Sequence, residues 1–220
     1  MESPFFSDKE NARIRIKICG ITRREDALAA IQSGADALGF NFWPQSKRAL
    51  SLDQAQNWIK DVPKTTVRIA VVVNASPDLL KALRDSALFD AVQFHGDEPP
   101  SACTQSDFPR WIRALPAEEK TSLETIRSYA TRWLLLDTAC APGLYGGSGE
   151  NVDLSLARQR IQALPDRRIL LAGGLTPETV AHAIQQTHPF GVDVASGVES
   201  SPGIKDPEKM RRFIAAARES

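Results

Sequence analysis

Sulfur is scarce in this 220-residue chain, with three cysteines, Cys19, Cys103 and Cys140, and two methionines. An odd cysteine number without a C-x-x-C spacing argues against a disulfide framework or a thiolate zinc site, so any cysteine of interest is a free thiol. Net charge is also lacking: 27 Lys and Arg balance 27 Asp and Glu, and no basic field draws in nucleic acid. Long apolar runs are missing, the longest being five residues against the ~20 needed to span a bilayer. The opening M-E-S-P-F-F-S-D-K-E-N-A-R has no apolar centre of the kind a signal peptide carries. A cytoplasmic chain that avoids nucleic acid and membrane is the expectation. Disorder is excluded as the whole-chain description, because 42% hydrophobic residues suffice for a buried core.

What is present is alternation. Short β-branched runs recur between stretches with helical apolar spacing, giving eight expected strands at residues 14–19, 35–42, 66–73, 91–94, 111–115, 133–137, 168–172 and 192–195. Several are apolar on both faces, as in I-A-V-V-V, which places them in a parallel sheet covered by helices. Thr22, Ser51, Ser76-Pro77 and Thr176-Pro177 each stand where a hydroxyl caps a following helix. Eight such units in this length predict a single α/β domain, a (β/α)8 barrel, over residues 14–220, with residues 1–13 a flexible N-terminal extension. An open doubly wound sheet is the alternative. It would normally carry G-x-G-x-x-G after its first strand, where this chain has C-G-I-T.

A barrel of this kind works at the carboxyl ends of its strands, and polar residues collect there. The ends supply Cys19 after the first strand, Arg48 after the second, His95 after the fourth and Asp137 after the sixth. Gly173-Gly174 and Ser196-Gly197 follow the seventh and eighth, where bare amides can turn toward one anion, although tight turns alone would also use them. Gly146-Gly147-Ser148-Gly149 is a lid or a third wall for that anion. Cys19 and Asp137 form a candidate base and acid on either side of a sugar, with a buried filler as the other reading of the cysteine. His95 is a ligand contact or a packed histidine, and a lone His is no metal site. Asp97-Glu98 reads as a helix start. Lys17, two residues before Cys19, is a source of positive potential that the sequence does not place.

Taken in order, K-I-C-G-I-T-R-R-E-D-A from Lys17, G-A-D-A-L-G-F-N-F-W-P-Q-S-K-R from Gly34, V-Q-F-H-G-D-E from Val92, L-L-L-D-T from Leu134, Y-G-G-S-G from Tyr145, L-A-G-G-L-T-P-E from Leu171, and G-V-D-V-A-S-G-V-E with P-G-I-K-D from Gly191 resemble phosphoribosylanthranilate isomerase of tryptophan biosynthesis. The resemblance implies an Amadori rearrangement of a phosphosugar substrate without metal or organic cofactor. It makes Asp137 the general acid, Cys19 the general base and Arg48 the holder of the anthranilate carboxylate. It puts phosphate on Gly147, Gly173, Gly174, Ser196 and Gly197, with His95 and Asp193 as substrate contacts. Monomer is the default expectation and homodimer the alternative. Trp43-Pro44-Gln45-Ser46-Lys47-Arg48 stands where the family often has Y-P-K-S-P-R, and Val152-Asp153-Leu154 where it has F-D-W. The rivals are a histidine-pathway aminoaldose isomerase, expected to use two carboxylates, a magnesium-dependent phosphate-binding synthase, and a non-catalytic phosphosugar-binding barrel.

Overall fold

The computed structural model describes residues 4–6, 13–138 and 152–220, so Cys140, Tyr145 and Gly147 lie outside the described residues. Eight parallel strands close into a barrel in sequence order: β1 Arg15–Cys19, β2 Ala37–Asn41, β3 Val67–Val72, β4 Ala91–Phe94, β5 Trp111–Pro116, β6 Trp133–Asp137, β7 Arg168–Leu171 and β8 Gly191–Val194. The ring is sealed where β1 pairs with β8, Lys17 opposite Asp193, and with β2, Lys17 opposite Ala37. The doubly wound alternative is thereby set aside. The helices between are α1 Arg24–Ser33, α2 Leu52–Gln56, α3 Pro77–Asp85, α4 Pro100–Thr104, α5 Leu123–Arg127, α6 Leu154–Ala163, α7 Val180–Thr187 and α8 Pro207–Arg218. After β8 the chain adds a 3-10 turn, Ser196–Val198, and a short antiparallel pair, β9 Glu199–Ser201 with β10 Ile204–Lys205.

Successive residues of a strand face opposite sides, and this alternation sorts the barrel into two cores. Ile16, Ile18, Leu38, Phe40, Val92, Phe94, Leu134 and Leu136 belong to the outer core between strands and helices. Ala37, Ile69, Ala91, Ile112, Leu135 and Leu170 fill the inside. Toward the carboxyl ends the interior turns polar, with Lys17, Gln93 and Asp193 buried on β1, β4 and β8.

Two expected helix starts are displaced. Ser51 does form a capping box with Gln54, and the Ser76 hydroxyl accepts from the Leu79 amide. Thr22 instead donates its hydroxyl to the Gly203 carbonyl at 2.5 Å, and α1 begins at Arg24 after an extended Arg23. Thr176 opens a turn in which its amide donates to the Thr179 hydroxyl, so α7 begins only at Val180. At Thr22 a loop contact takes the hydroxyl that a cap would have used, whereas the Thr176 hydroxyl accepts from the Glu178 amide at 3.3 Å and caps the turn that leads into α7.

The flexible extension expected over residues 1–13 does not describe Pro4–Phe6, a 3-10 turn whose Phe5 and Phe6 are buried with the inner core. Phe6 meets Trp133, the first residue of β6, edge-on at 4.8 Å, and the Arg110 guanidinium lies 5.5 Å from its ring centroid. Both partners stand at the amino ends of their strands. The two phenyl rings therefore close the foot of the barrel, opposite the mouth.

Candidate active site

The carboxyl ends of β6, β7 and β8 and the loops after the last two enclose a small cavity lined by Asp137, Gly173, Gly174, Asp193, Ser196 and Gly197 among others. Six of the residues singled out in the sequence therefore share one wall. Gly197 is there because the loops touch: a Cβ on it would fall 1.9 Å from the Leu175 carbonyl oxygen, so no other residue keeps that approach. One expectation needs correction. Gly173-Gly174 does not abut a capped helix, because Leu175–Thr179 intervenes and Thr179 makes no side-chain cap. Backbone amides of the two loops, rather than a capped helix end, are what this wall offers an anion.

Asp137 is held at both oxygens. The Thr138 amide donates to Oδ1 at 2.8 Å, and His95 Nε2 lies 3.2 Å from Oδ2. The histidine left open by the sequence thus has a carboxylate partner on one side. On the other, Gln93 meets its Nδ1 at 2.9 Å. The loop that carries His95 is fixed from below its surface by Glu98, whose carboxylate accepts from the Asn74 amide at 2.7 Å, the Gly96 amide at 2.9 Å and Arg113 Nη1 at 2.7 Å. Glu98 is consequently a buried brace and not a helix start, which falls at Pro100.

Lys17 now has a place. Its ammonium donates to Asp193 Oδ1 at 2.8 Å, and a Cβ on Gly39 would lie 3.1 Å from Lys17 Nζ and 2.8 Å from Cys19 Sγ, so ammonium and sulfur share one corner of β1 and β2. Burial opposes the charge on Lys17, but Asp193 and Cys19 outweigh it and hold the ammonium above its ordinary range. Burial also pushes the Cys19 thiol up, with Lys17 pulling down and Asp193 adding to the rise. The site by itself therefore favours the thiol of Cys19 over its thiolate.

Arg48 is neither a solvated surface residue nor a free fork. Its Nε and Nη2 each donate to Glu199 at 2.7 Å, and Lys205 Nζ donates to the same Glu199 at 2.9 Å and to the Ala195 carbonyl at 2.9 Å. Burial raises the cost of charge on Glu199, yet Arg48 and Lys205 win and draw its carboxyl below the ordinary range. Lys205 itself is lowered, because burial and Arg48 exceed what Glu199 returns. Glu199 and Lys205 were missed in the sequence although both stand inside recognised motifs. Nothing in their spacing shows that β9 and β10 fold back over the loop of Arg48.

Barrel and site together define a (β/α)8-barrel enzyme whose mouth combines a carboxyl group, a thiol and a glycine-lined anion wall. The family model described as N-(5'-phosphoribosyl)anthranilate isomerase matches residues 16–216. A relative from Trichlorobacter lovleyi bearing that name is 42% identical over 94% of this chain and 99% of its own length. The crystal structure of phosphoribosyl anthranilate isomerase from Thermotoga maritima superposes with a TM-score of 0.84 at 39% identity, covering 94% of this chain and all of that one. Another, in complex with reduced 1-(o-carboxyphenylamino)-1-deoxyribulose 5-phosphate, gives 0.80 at 37% identity, over 94% of this chain and all of that one. The chain belongs to the phosphoribosylanthranilate isomerase family, and it is an isomerase of tryptophan biosynthesis. Among the described residues no helix is long and apolar enough to cross a membrane.

Proposed function

We propose that this mouth converts N-(5-phosphoribosyl)anthranilate to 1-(2-carboxyphenylamino)-1-deoxyribulose 5-phosphate with Asp137 as general acid and Cys19 as general base. Asp137 gives its proton to the ribose ring oxygen, the bond from that oxygen to C1 breaks, and the anthranilate nitrogen lone pair closes an iminium. Cys19 then takes the C2 proton, the C–H electrons form the C1–C2 double bond, and the resulting enolamine tautomerises to the ketone. The observation that carries this reading is Asp137 in the wall of the glycine-lined cavity, which sets the acid beside the phosphate loops. Phosphate then lies on the amides of Gly173, Gly174, Ser196 and Gly197, with Gly147 its further contact from outside the described residues.

Cys19 needs help to ionise, since burial holds it as a thiol. The iminium supplies it: a cation next to the sulfur favours thiolate at the moment a base is needed, and the same cation acidifies C2–H. Lys17, Arg48 and Lys205 against Asp193 and Glu199 leave one positive charge in excess around the sulfur, which suits a substrate carrying carboxylate and phosphate. Arg48 takes the anthranilate carboxylate through Nη1, its fork being braced by Glu199. Asp193 contacts the sugar while held by Lys17. No metal or organic cofactor enters. Freshly made phosphoribosylanthranilate should lose its fluorescence on adding the protein, before and after EDTA dialysis, while the histidine-pathway aminoaldose is turned over at least ~100-fold more slowly for want of a second carboxylate. Equal turnover of both substrates, or none of the first, defeats the reading.

A further inference from the structure

Gln93 has no place in the chemistry above, yet it is a fully buried amide inside the barrel mouth on β4. Its Nε2 lies 2.9 Å from His95 Nδ1, its Oε1 has no hydrogen-bond partner among the described residues, and His95 Nε2 reaches Asp137 Oδ2 at 3.2 Å. A buried amide that leaves its own oxygen unbonded to serve an imidazole is a costly arrangement for packing alone. Each member of the row dictates the next. The Gln93 amide NH2 only donates, so Nδ1 must accept; neutral imidazole then carries its hydrogen on Nε2, the nitrogen that faces Asp137 Oδ2.

We infer that Gln93 is a positioning residue for the ring-opening step: it fixes His95 in the Nε2–H form and aims that N–H at the oxygen of Asp137 where negative charge appears. This rests on the reading of Asp137 as the acid. The charge is absent before proton transfer and present after it, so the His95 donor acts more strongly on the later state. Donation into Nδ1 also polarises the ring and strengthens its other N–H. Abstraction at C2 by Cys19 uses none of this row. Gln93 therefore acts on one of the two proton transfers and not on the other.

The separation gives the test. Replacing Gln93 by Leu, close to it in volume, should lower kcat ~10-fold with KM within ~2-fold, while circular dichroism and Tm stay near those of the parent. With substrate deuterated at C2, the isotope effect on single turnover should fall toward one in Gln93→Leu and rise in Cys19→Ser, because the first slows ring opening and the second slows C2 deprotonation. Ring 15N spectra, with His95 assigned by its loss in His95→Asn, should show Nε2 protonated and Nδ1 bare in the parent protein. They should show Nδ1 protonated in Gln93→Glu, whose carboxylate can only accept. The inference is overturned by a protonated Nδ1 in the neutral parent histidine, by unchanged kcat in Gln93→Leu, or by an isotope effect in that variant at or above that of Cys19→Ser. If Gln93→Leu does not fold, Gln93→Glu carries the same kinetic comparison. Full turnover by Asp137→Asn would remove the acid reading by itself, and the parent 15N spectrum would still decide the tautomer separately.

Discussion

Removing Arg48 should show in stability before it shows in binding. Both bonds from its fork to Glu199 are 2.7 Å long, and the two side chains are only 14% and 5% exposed, so little water screens the pair. Breaking a buried pair costs about 3–5 kcal/mol when the remaining charge is orphaned. Glu199 keeps Lys205 at 2.9 Å, so Arg48→Ala should cost about 2–3 kcal/mol, or roughly 5–10 °C in Tm for a chain of this length. The pH dependence has a fixed sign. Glu199 titrates lower folded than unfolded, so the pair's contribution is complete above the unfolded carboxylate value of about 4.3 and is lost as pH falls through the lower folded one. Thermal melts of both proteins should therefore differ most at pH 6–7 and begin to converge only as pH falls below the unfolded carboxylate value of about 4.3. Gly20→Ala is an independent perturbation of the same arm, since the added Cβ would fall 2.3 Å from Arg48 Cδ. In turnover, Arg48→Ala should raise KM ~10-fold and weaken competition by benzoate. A Tm loss with unchanged KM and benzoate inhibition would make Arg48 a brace only; a Tm change under about 1 °C would refute the energetics.

Three further outcomes follow from other parts of the molecule. Phe6→Ala should lose about 3 kcal/mol, a usual cost for truncating a buried aromatic, and leave KM unchanged because the ring sits at the foot of the barrel; denaturant melts and steady-state kinetics check both halves. Alkylation of Cys19 by iodoacetamide should rise with pH through a midpoint above the ordinary thiol value of about 8.5, read by mass spectrometry, with buried Cys103, pushed up to about 11, reacting more slowly; a midpoint below 8 would contradict the burial argument. Sulfate soaked into crystals should sit beside Gly174 and Ser196, and Gly197→Ala should abolish that density, whereas sulfate bound only elsewhere in the mouth would remove the anion wall.

The strands were legible because a barrel strand is apolar on both faces, and the expected and observed ranges differ by two residues or fewer at either end. Helix starts were legible only where a hydroxyl had no better partner. Ser51 and Ser76 cap as their sequence suggests, while Gly203, 181 residues away, takes the Thr22 hydroxyl. Cys19, His95 and Asp137 could be picked out because strand ends are countable, and Asp193 because its motif resembles that of the family. The long-range pairings could not, since that of Lys17 with Asp193 spans 176 residues and that of Arg48 with Glu199 spans 151. Spacing carries no trace of such closures. The same reasoning explains Phe5 and Phe6: two apolar residues inside a polar N-terminal stretch read as incidental until the ring of Trp133 is seen beneath them.

The most direct test of the whole account is the kcat for freshly prepared phosphoribosylanthranilate in Cys19→Ser and Asp137→Asn beside the parent protein, followed by fluorescence at saturating substrate. Each substitution removes one positioned proton-transfer group, and each should lower kcat by at least ~100-fold while KM moves far less. Turnover within ~3-fold of the parent in either variant would take that residue out of the mechanism and leave the mouth without the acid or the base assigned to it.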